Sequence, residues 1–235
     1  MIELRPFDRL GRFDADWLKA RYHFSFADYH DPARMGVGML RVWNDDIILP
    51  GTGFPPHPHR DMEIVTYVRE GAITHEDHLG NRGRTEAGDV QVMSAGSGIV
   101  HAEYNLESEP ALIYQIWIRT DARGHTPRWA NRQFPKGERA GQLVPLASGR
   151  PEDEAAGALH INQDAAVLGA TLKAGQTITH AMAPGRCGYL AVAKGAVTLN
   201  GQPMGWRDGA AIEDEASLTI TAAEDAEILL VDTVA

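Results

Sequence analysis

The chain has 235 residues, a mass of 25.7 kDa, a formal net charge of −10 and an isoelectric point near 5.4. This length suits two modest domains or one large all-β domain, and a hydrophobic share of 43% is enough to bury a normal core. Binding to nucleic acid or to an anionic membrane surface needs concentrated Lys and Arg, which the sequence lacks. We therefore expect neither a nucleic-acid partner nor a membrane partner.

Cysteine content and the start of the chain bear on the cellular compartment. Cys187 is the only cysteine, so neither an intrachain disulfide nor a thiolate metal cluster can form, which fits a reducing environment. The first residues lack a basic segment followed by an apolar run. No apolar stretch approaches the roughly 18 residues of a membrane-spanning helix. We expect a soluble, cytoplasmic monomer.

Short runs of β-branched and aromatic residues dominate the chain, and Gly, Pro, Asn or Asp separates them at short intervals. This pattern is typical of an antiparallel sandwich or barrel. Helical periodicity is weak, apart from a possible turn near residues 13–20 and a few residues around Asp164. The predicted strands of the first half are residues 37–42, 47–49, 64–68, 90–93 and 112–118.

A weak internal repeat relates the two halves of the chain. Residues 64–71 (IVTYVREG) resemble residues 189–195 (YLAVAKG), and each segment is followed by a strand and a turn. The turn of the second copy contains Asn200-Gly201, a strong hairpin signal. The repeat predicts an all-β chain with two copies of one β-barrel unit. The polar residues from about 127 to 151 would connect them.

Two pairs of potential metal ligands occur at i,i+2 spacing in strand-like surroundings: His57 with His59, and His101 with Glu103. Residues two apart on a strand share a face, so each pair can direct both side chains at one point. Three imidazoles and a carboxylate suit a first-row divalent metal that keeps open coordination positions. The sequence therefore predicts a catalytic type of metal centre.

The second copy of the repeat lacks these ligands. When the copies are aligned on their glycines, Ala181, Ala183 and Ala222 stand where the first copy has histidines. His180 lies one residue out of register, which on a strand means the opposite face. We therefore predict a single metal ion, bound in the first half.

The spacing of these residues resembles that of a known superfamily. Two motifs look like the cupin motifs: Gly51-x5-His57-x-His59-x3-Glu63-x7-Gly71 and Gly88-x7-Gly96-x-Gly98-x2-His101-x3-Asn105. Three runs look more closely like the pirin family: HPHRDMEIVTYV (57–68), MSAGSGIVHAEYN (93–105) and YQIWI (114–118). The resemblance is dense in the N-terminal half and thin in the C-terminal half.

The resemblance implies a bicupin fold, in which two antiparallel β-barrels (double-stranded β-helix domains) pack together. Residues 1–135 would form an N-terminal metal-binding cupin domain, and residues 136–235 a C-terminal cupin domain without ligands. The metal ligands implied by the family are His57, His59, His101 and Glu103. The cofactor would be one divalent transition metal, with Fe, Cu, Ni, Mn, Co and Zn all acceptable to such a ligand set.

Several bacterial pirin-like proteins have quercetin 2,3-dioxygenase activity. The resemblance thus implies a metal-dependent enzyme that opens the ring of a flavonol with dioxygen and releases carbon monoxide, so that its partners would be a flavonol-like substrate and dioxygen. Glu103 would be the catalytic general base that takes the proton of the 3-hydroxyl group. The alternative is a metal-binding regulatory or protein-interaction module of the pirin type without significant turnover.

Glu63 competes with Glu103 for the fourth ligand position. General cupins use the carboxylate of the first motif, and residues 57, 59, 61 and 63 would share a face in a straight strand. Pirins use the later carboxylate. We expect Glu103 to be the ligand, and Glu63 to be a hydrogen-bond partner that orients a ligand histidine without binding the metal itself.

Two further groups of residues are ambiguous. His75 and His78 have good ligand chemistry, but their opposite parity and the adjacent turn predict a solvated hairpin tip. A planar aromatic substrate would suit a pocket of aromatic and amide side chains, although Tyr114 and Trp117 are more often core residues. The pocket candidates are Tyr104, Tyr114, Gln115 and Trp117.

Overall fold

The computed structural model describes residues 1–235, and its regular secondary structure is almost entirely β-strand. One short α-helix, α1 (Pro151–Ala155), and two 3₁₀ turns, Phe7–Arg9 and Lys136–Arg139, interrupt them. The strands of the first half are β1 (Ile2–Arg5), β2 (Gly11–Asp14), β3 (Leu18–Tyr22), β4 (Leu40–Ile48), β5 (Thr52–His59), β6 (Met62–Glu70), β7 (Ala72–Asp77), β8 (Arg82–Glu86), β9 (Val90–Ser94), β10 (Ile99–Asn105), β11 (Ala111–Arg119) and β12 (Arg128–Arg132). The strands of the second half are β13 (Val144–Ser148), β14 (Leu159–His160), β15 (Ala165–Leu172), β16 (Thr177–Ala181), β17 (Arg186–Lys194), β18 (Val197–Leu199), β19 (Gln202–Met204), β20 (Gly209–Glu213), β21 (Ser217–Ala222) and β22 (Ala226–Val234).

The chain forms two barrels, each with one seven-stranded and one four-stranded sheet; the seven-stranded sheet of the second half also includes β1 from the start of the chain. The sheets of the first half have the orders β12-β9-β6-β11-β4-β3-β2 and β5-β10-β7-β8. Those of the second half have the orders β1-β20-β17-β22-β15-β13-β14 and β16-β21-β18-β19. The two halves thus repeat one topology almost strand for strand, which confirms the predicted all-β bicupin.

The first strand lies in the second barrel. β1 pairs with β20, with Ile2 opposite Ile212 and Arg5 opposite Gly209. Arg5 is buried and donates a hydrogen bond of 3.1 Å from Nη1 to the carbonyl oxygen of His23. The division of the chain after residue 135 stays a prediction, but residues 2–5 are paired with the C-terminal sheet.

The helical turn predicted near residues 13–20 is wrong. These residues form the hairpin of β2 and β3, in which Phe13 lies opposite Ala20. Burial along β3 alternates, with Leu18 and Ala20 inside and the residue between them exposed, which is the period of a strand. The residues around Asp164 are not helical either. The only helix, α1, begins with a proline and three acidic residues, which suit a helix N-terminus.

The interiors of the two barrels differ in chemistry. A cluster of 24 buried residues from both halves, including Trp43, Tyr114 and Tyr189, fills the interface between the barrels. The second barrel encloses a further 19 buried apolar residues. The first barrel has apolar clusters of only seven and four residues, because much of its interior is occupied by buried polar side chains. These include Thr66, His75, Gln91, His101, Glu103 and Gln115.

None of the helices has the length and apolar character that a membrane-spanning helix requires.

Candidate metal centre

The three histidines predicted as ligands come together on two neighbouring strands. β5 and β10 pair in antiparallel register, with His57 opposite His101 and His59 opposite Ile99. The ring centroids are 4.4 Å apart for His57 and His101 and 5.0 Å apart for His59 and His101. One potential ligand atom from each ring lies within 4.8 Å of the other two. This spacing allows one ion to contact all three.

The turn that precedes β10 explains the glycines of the second motif. Gly96 has a φ of +48°, in the left-handed region that glycine adopts without strain. A Cβ atom at this position would lie 2.0 Å from the carbonyl oxygen of His125. Only glycine fits so close to that backbone, and the turn then delivers Ile99 to the start of β10 and His101 to the centre.

The protonation of the histidines suits metal binding. His57 Nδ1 lies 2.7 Å from the carbonyl oxygen of Pro55, which can only accept, so Nδ1 donates and Nε2 is the atom left for a metal. His101 Nε2 is buried and has no hydrogen-bond partner. Burial, reinforced by nearby His57, lowers the pKa of His59 to about 4. Burial and the neighbouring histidines lower the pKa of His101 to about 2. Neutral rings with free lone pairs are the form that binds a divalent metal.

Glu103 lies beside the three-histidine group without belonging to it. Its carboxylate groups instead with His75 and His101, again with ligand atoms within 4.8 Å of one another. Glu103 is 1% exposed, and it accepts hydrogen bonds from Gln115 Nε2 at 2.6 Å and from Gln91 Nε2 at 2.5 Å. Burial raises its pKa to about 7, although hydrogen bonds from these side chains oppose the rise. The carboxyl group therefore titrates near neutral pH.

The interpretation of His75 as part of a solvated hairpin tip is wrong. Strand β7 continues to Asp77, and its pairing with β10 puts His75 opposite Glu103. The His75 ring is fully buried and stacks on Trp129 at a centroid distance of 4.8 Å. His78, of opposite parity, is exposed. A signal was present in the sequence, because His75 shares its strand face with the apolar Ile73.

Glu63 does not contact the histidines. A turn at Asp61, which has a φ of +49°, separates β5 from β6, so residues 57 to 63 do not form one straight strand. The buried Glu63 carboxylate accepts hydrogen bonds from Ser94 Oγ at 2.6 Å and from Asn162 Nδ2 at 2.9 Å. The expectation that Glu63 orients a ligand histidine is therefore wrong. Its contact with Asn162 instead connects the first barrel to the second half of the chain.

Comparisons with known proteins agree with this architecture. The family described as Pirin matches residues 4–118, and the one described as "Quercetinase C-terminal cupin domain" matches residues 146–233. The chain is 63% identical over 232 residues to a pirin-like protein of Caulobacter vibrioides, with 99% of each chain covered. The chain belongs to the pirin family.

Two further matches come from Escherichia coli. A protein of strain K12 named quercetin 2,3-dioxygenase is 43% identical over 233 residues, covering 99% of this pirin and 98% of that protein. The crystal structure of the bacterial pirin YhhW in complex with nickel(II) aligns with a TM-score of 0.92 and 42% identity, covering 100% of this chain and 99% of that one. The cluster of histidines and glutamate in this pirin could likewise hold a metal ion.

Aromatic side chains line one side of the histidine cluster. The half-buried Trp117 meets His59 edge to face at a centroid distance of 4.9 Å, and Phe26 packs on Trp117 at 5.4 Å. Phe54 lies 6.2 Å from His57. Of the other predicted pocket residues, Tyr114 is buried between the barrels, where its hydroxyl donates to the carbonyl oxygen of Val192. Gln115 binds Glu103, and Tyr104 lies on the face of β10 opposite Glu103.

The second barrel of this pirin has no comparable cluster. In the corresponding strand pair, β16 and β21, Thr179 lies opposite Thr219. Both groups of potential metal ligands in the chain lie in the first barrel. His180, which the repeat placed out of register, makes a 2.9 Å contact with Asp232.

Proposed function

We propose that this protein is a metal-dependent quercetin 2,3-dioxygenase whose single metal ion is bound in the first barrel by His57, His59 and His101, with Glu103 as the fourth ligand. The observation that carries the proposal is the convergence of three imidazoles, two of which (His59 and His101) are kept neutral by burial, beside a buried carboxylate. A relative of 43% identity bears the name of this enzyme, and the related YhhW binds nickel. A bound divalent ion would supply Lewis acidity, which makes a coordinated hydroxyl group more acidic.

The surroundings of the histidines suit a planar aromatic substrate. Trp117 lies against His59, Phe54 lies near His57, and Phe26 packs on Trp117. Aromatic pairs gain stability in edge-to-face and offset arrangements. Flavonol rings can pack against this wall while the 3-hydroxyl group points at the histidine cluster. His57 and His59 are only half-buried, so the substrate can approach from their side.

Glu103 is placed to accept a proton inside the barrel. Its pKa of about 7 matches the pH at which a general base is most effective. Gln91 and Gln115 fix the position of both carboxylate oxygens and favour the charged form. Glu103 would take the proton of the flavonol 3-hydroxyl group and so leave an electron-rich oxyanion on the substrate. Reaction of this anion with dioxygen opens the ring and releases carbon monoxide.

Metal content is the first test of this proposal. Protein purified without oxygen and reconstituted separately with Fe, Cu, Ni, Mn, Co or Zn should contain about one equivalent by elemental analysis. His57→Ala, His59→Ala and His101→Ala should each lose it, because the two imidazoles and one carboxylate that remain bind a divalent ion more weakly than the full set. A full equivalent retained by the double variant His57→Ala/His59→Ala would contradict the ligand assignment.

Turnover is the second test, with quercetin absorbance and carbon monoxide release as the readouts. Glu103→Gln should lower the rate by about a hundred- to ten-thousandfold at matched metal content, because an amide cannot accept the hydroxyl proton. Glu63→Gln is the isosteric control, since Glu63 is a buried carboxylate that contacts no histidine. Absence of turnover by fully loaded wild-type protein with every metal would favour a metal-binding regulatory module instead.

A further inference from the structure

His75 and Asp77 form a chain of contacts behind His101. His75 Nδ1 lies 3.4 Å from His101 Nδ1, and His75 Nε2 lies 3.0 Å from Asp77 Oδ2. The side chains of His75 and Asp77 are both fully buried. Their neighbours on β10 are fixed by the strand register, in which Asp77 lies opposite His101 and His75 opposite Glu103.

The hydrogen bonds of Asp77 determine where each proton of this chain sits. Asp77 Oδ1 accepts from the backbone N–H groups of Leu79 and Asn81, and Oδ2 accepts from Asn81 Nδ2 at 2.9 Å. A carboxylate surrounded by donors on both oxygens is ionised and can only accept. His75 must therefore donate to it from Nε2, and the Nδ1 atom of neutral His75 is left as an acceptor.

The tautomer of His75 in turn determines the tautomer of His101. Because His75 Nδ1 accepts, His101 must donate from its own Nδ1, and its free lone pair is placed on Nε2. That atom is the buried nitrogen without a hydrogen-bond partner. A ligand histidine that donates its second N–H to a fixed acceptor is held in orientation and becomes more basic.

Packing holds the middle of the chain in place. The ring of His75 stacks on Trp129 with an interplanar angle of 10°. Trp129 reaches His75 because Gly83, which lies opposite His75 on β8, has no side chain. A Cβ atom at Gly83 would lie 2.2 Å from Cη2 of Trp129. The His75 ring is thus confined by Trp129 on one face and by hydrogen-bond partners at both nitrogens.

We infer that His75 is a positioning residue of the metal centre: with Asp77 behind it, His75 sets the tautomer and the orientation of His101 so that Nε2 faces the ion. The inference rests on the proposed function, because it assigns His75 a role toward the same metal. It adds two buried residues, His75 and Asp77, to a site whose proposed ligands are His57, His59, His101 and Glu103.

Metal affinity, measured by competition with a chromophoric chelator using Co(II) as the probe, tests this role without any turnover assay. His75→Phe keeps an aromatic ring stacked on Trp129 but removes the Nδ1 atom that accepts from His101. Asp77→Asn keeps His75 but removes the negative charge that fixes its tautomer. Each variant should bind Co(II) about ten- to a hundredfold more weakly than the wild type. His125→Phe is the matched control, because His125 also pairs with an aspartate, Asp121, but at the surface. It should bind as the wild type does.

Proton NMR of the Co(II)-loaded protein supplies a second readout. The wild type should show a shifted, exchangeable N–H signal from His101 Nδ1 that exchanges slowly because it is buried and hydrogen-bonded. This signal should disappear or exchange rapidly in His75→Phe. Complete loss of Co(II) together with loss of one histidine ligand signal would overturn the inference, because His75 would then be a ligand itself.

The binding results separate this inference from the proposed function. If the wild type binds Co(II) and both variants bind it equally well, the positioning role is overturned while the metal centre stands. If the wild type binds no metal at all, both are overturned. Loss of affinity in Asp77→Asn, with the folded state intact by circular dichroism, would support the inference even if His75→Phe failed to fold.

Discussion

At the scale of single residues, Glu103 is a deeply buried carboxyl group beside the candidate ligand histidines. It is 1% exposed, and burial raises its pKa to about 7. Burial lowers the pKa of His59 and of His101, because the charged form of an imidazole is the protonated one and burial disfavours it. At neutral pH without metal, the centre therefore combines neutral imidazoles with a carboxyl group that is partly protonated.

This environment predicts a proton release that depends on pH. Glu103 must be ionised to bind the metal, so an ion that binds below pH 7 displaces its proton, whereas an ion that binds well above pH 7 does not. At pH 6 the wild type should release about one proton more per metal than Glu103→Gln, and at pH 8 the difference should vanish. Calorimetric titration in buffers of different ionisation enthalpy measures this number.

Other groups release the same number of protons in the wild type and in Glu103→Gln, so the difference between the two proteins reports Glu103 alone. Below pH 7 the metal affinity of the wild type should fall about tenfold more per pH unit than that of Glu103→Gln, as expected for one displaced proton. Equal proton release by the two proteins at pH 6 would show that Glu103 is not a ligand, or that it is already ionised in the metal-free state.

At the scale of secondary-structure elements, strand pairing creates the centre. β10 lies between β5 and β7, so that His57 on β5 and His75 on β7 flank it on opposite sides. The register of the β10–β5 pair shifts between His101 and Glu103. Pro55 and Pro56 lie at this point of β5, and because proline has no backbone N–H group, it suits an irregular stretch of the strand pair. As a result, Glu103 lies opposite Phe54, whereas His101 lies opposite His57.

Gly83 provides a test of this arrangement on β8. In Gly83→Ala the added carbon would collide with Trp129, whose ring must move away from His75. We expect a loss of about 1–3 kcal/mol in the free energy of unfolding, as for other overpacked interiors, together with weaker Co(II) binding. Gly137→Ala is the control, because nothing lies within 4 Å of the carbon added there. Reduced stability with unchanged metal affinity would show that the Trp129 stack does not hold His75 in place.

At the scale of the whole molecule, the two barrels are joined by more than their shared apolar core. Asp45 is fully buried on β4 and binds Arg69 of its own barrel and Arg207 of the other. The contact with Arg207 is bidentate, with distances of 2.6 and 2.9 Å. The N-terminal strand β1 also belongs to the sheet of the second barrel. We therefore expect the two barrels to unfold together.

Replacing Asp45 tests this coupling. Asp45→Asn removes the charged carboxylate that both buried guanidinium groups bind, and loss of one partner from a buried pair typically costs about 3–5 kcal/mol. Chemical denaturation followed by fluorescence and circular dichroism should show one transition, shifted to lower denaturant. Asp14→Asn is the control, since Asp14 also binds two arginines, but at the surface, and it should change stability far less. Two separate transitions would contradict the coupling.

Much of this protein follows from its sequence because the relevant signals are local. The i,i+2 spacing of His57 and His59 and the glycines before His101 predicted a strand-borne cluster, and the structure brings these three histidines together. The Asn200-Gly201 pair predicted a hairpin, and both residues have a positive φ there. The similarity of the two halves predicted the repeated topology. Each of these signals depends on residues close together in the chain, or on a comparison of the chain with itself.

Only the tertiary structure decided which side chains meet across strands. His75 lies behind His101 because β7 pairs with β10 in one register, and Glu63 faces Asn162 because a turn at Asp61 directs β6 into the other sheet. β1 pairs with β20, some 200 positions away. A pairing between distant strands is fixed by the packing of the whole barrel, so no short stretch of sequence contains it.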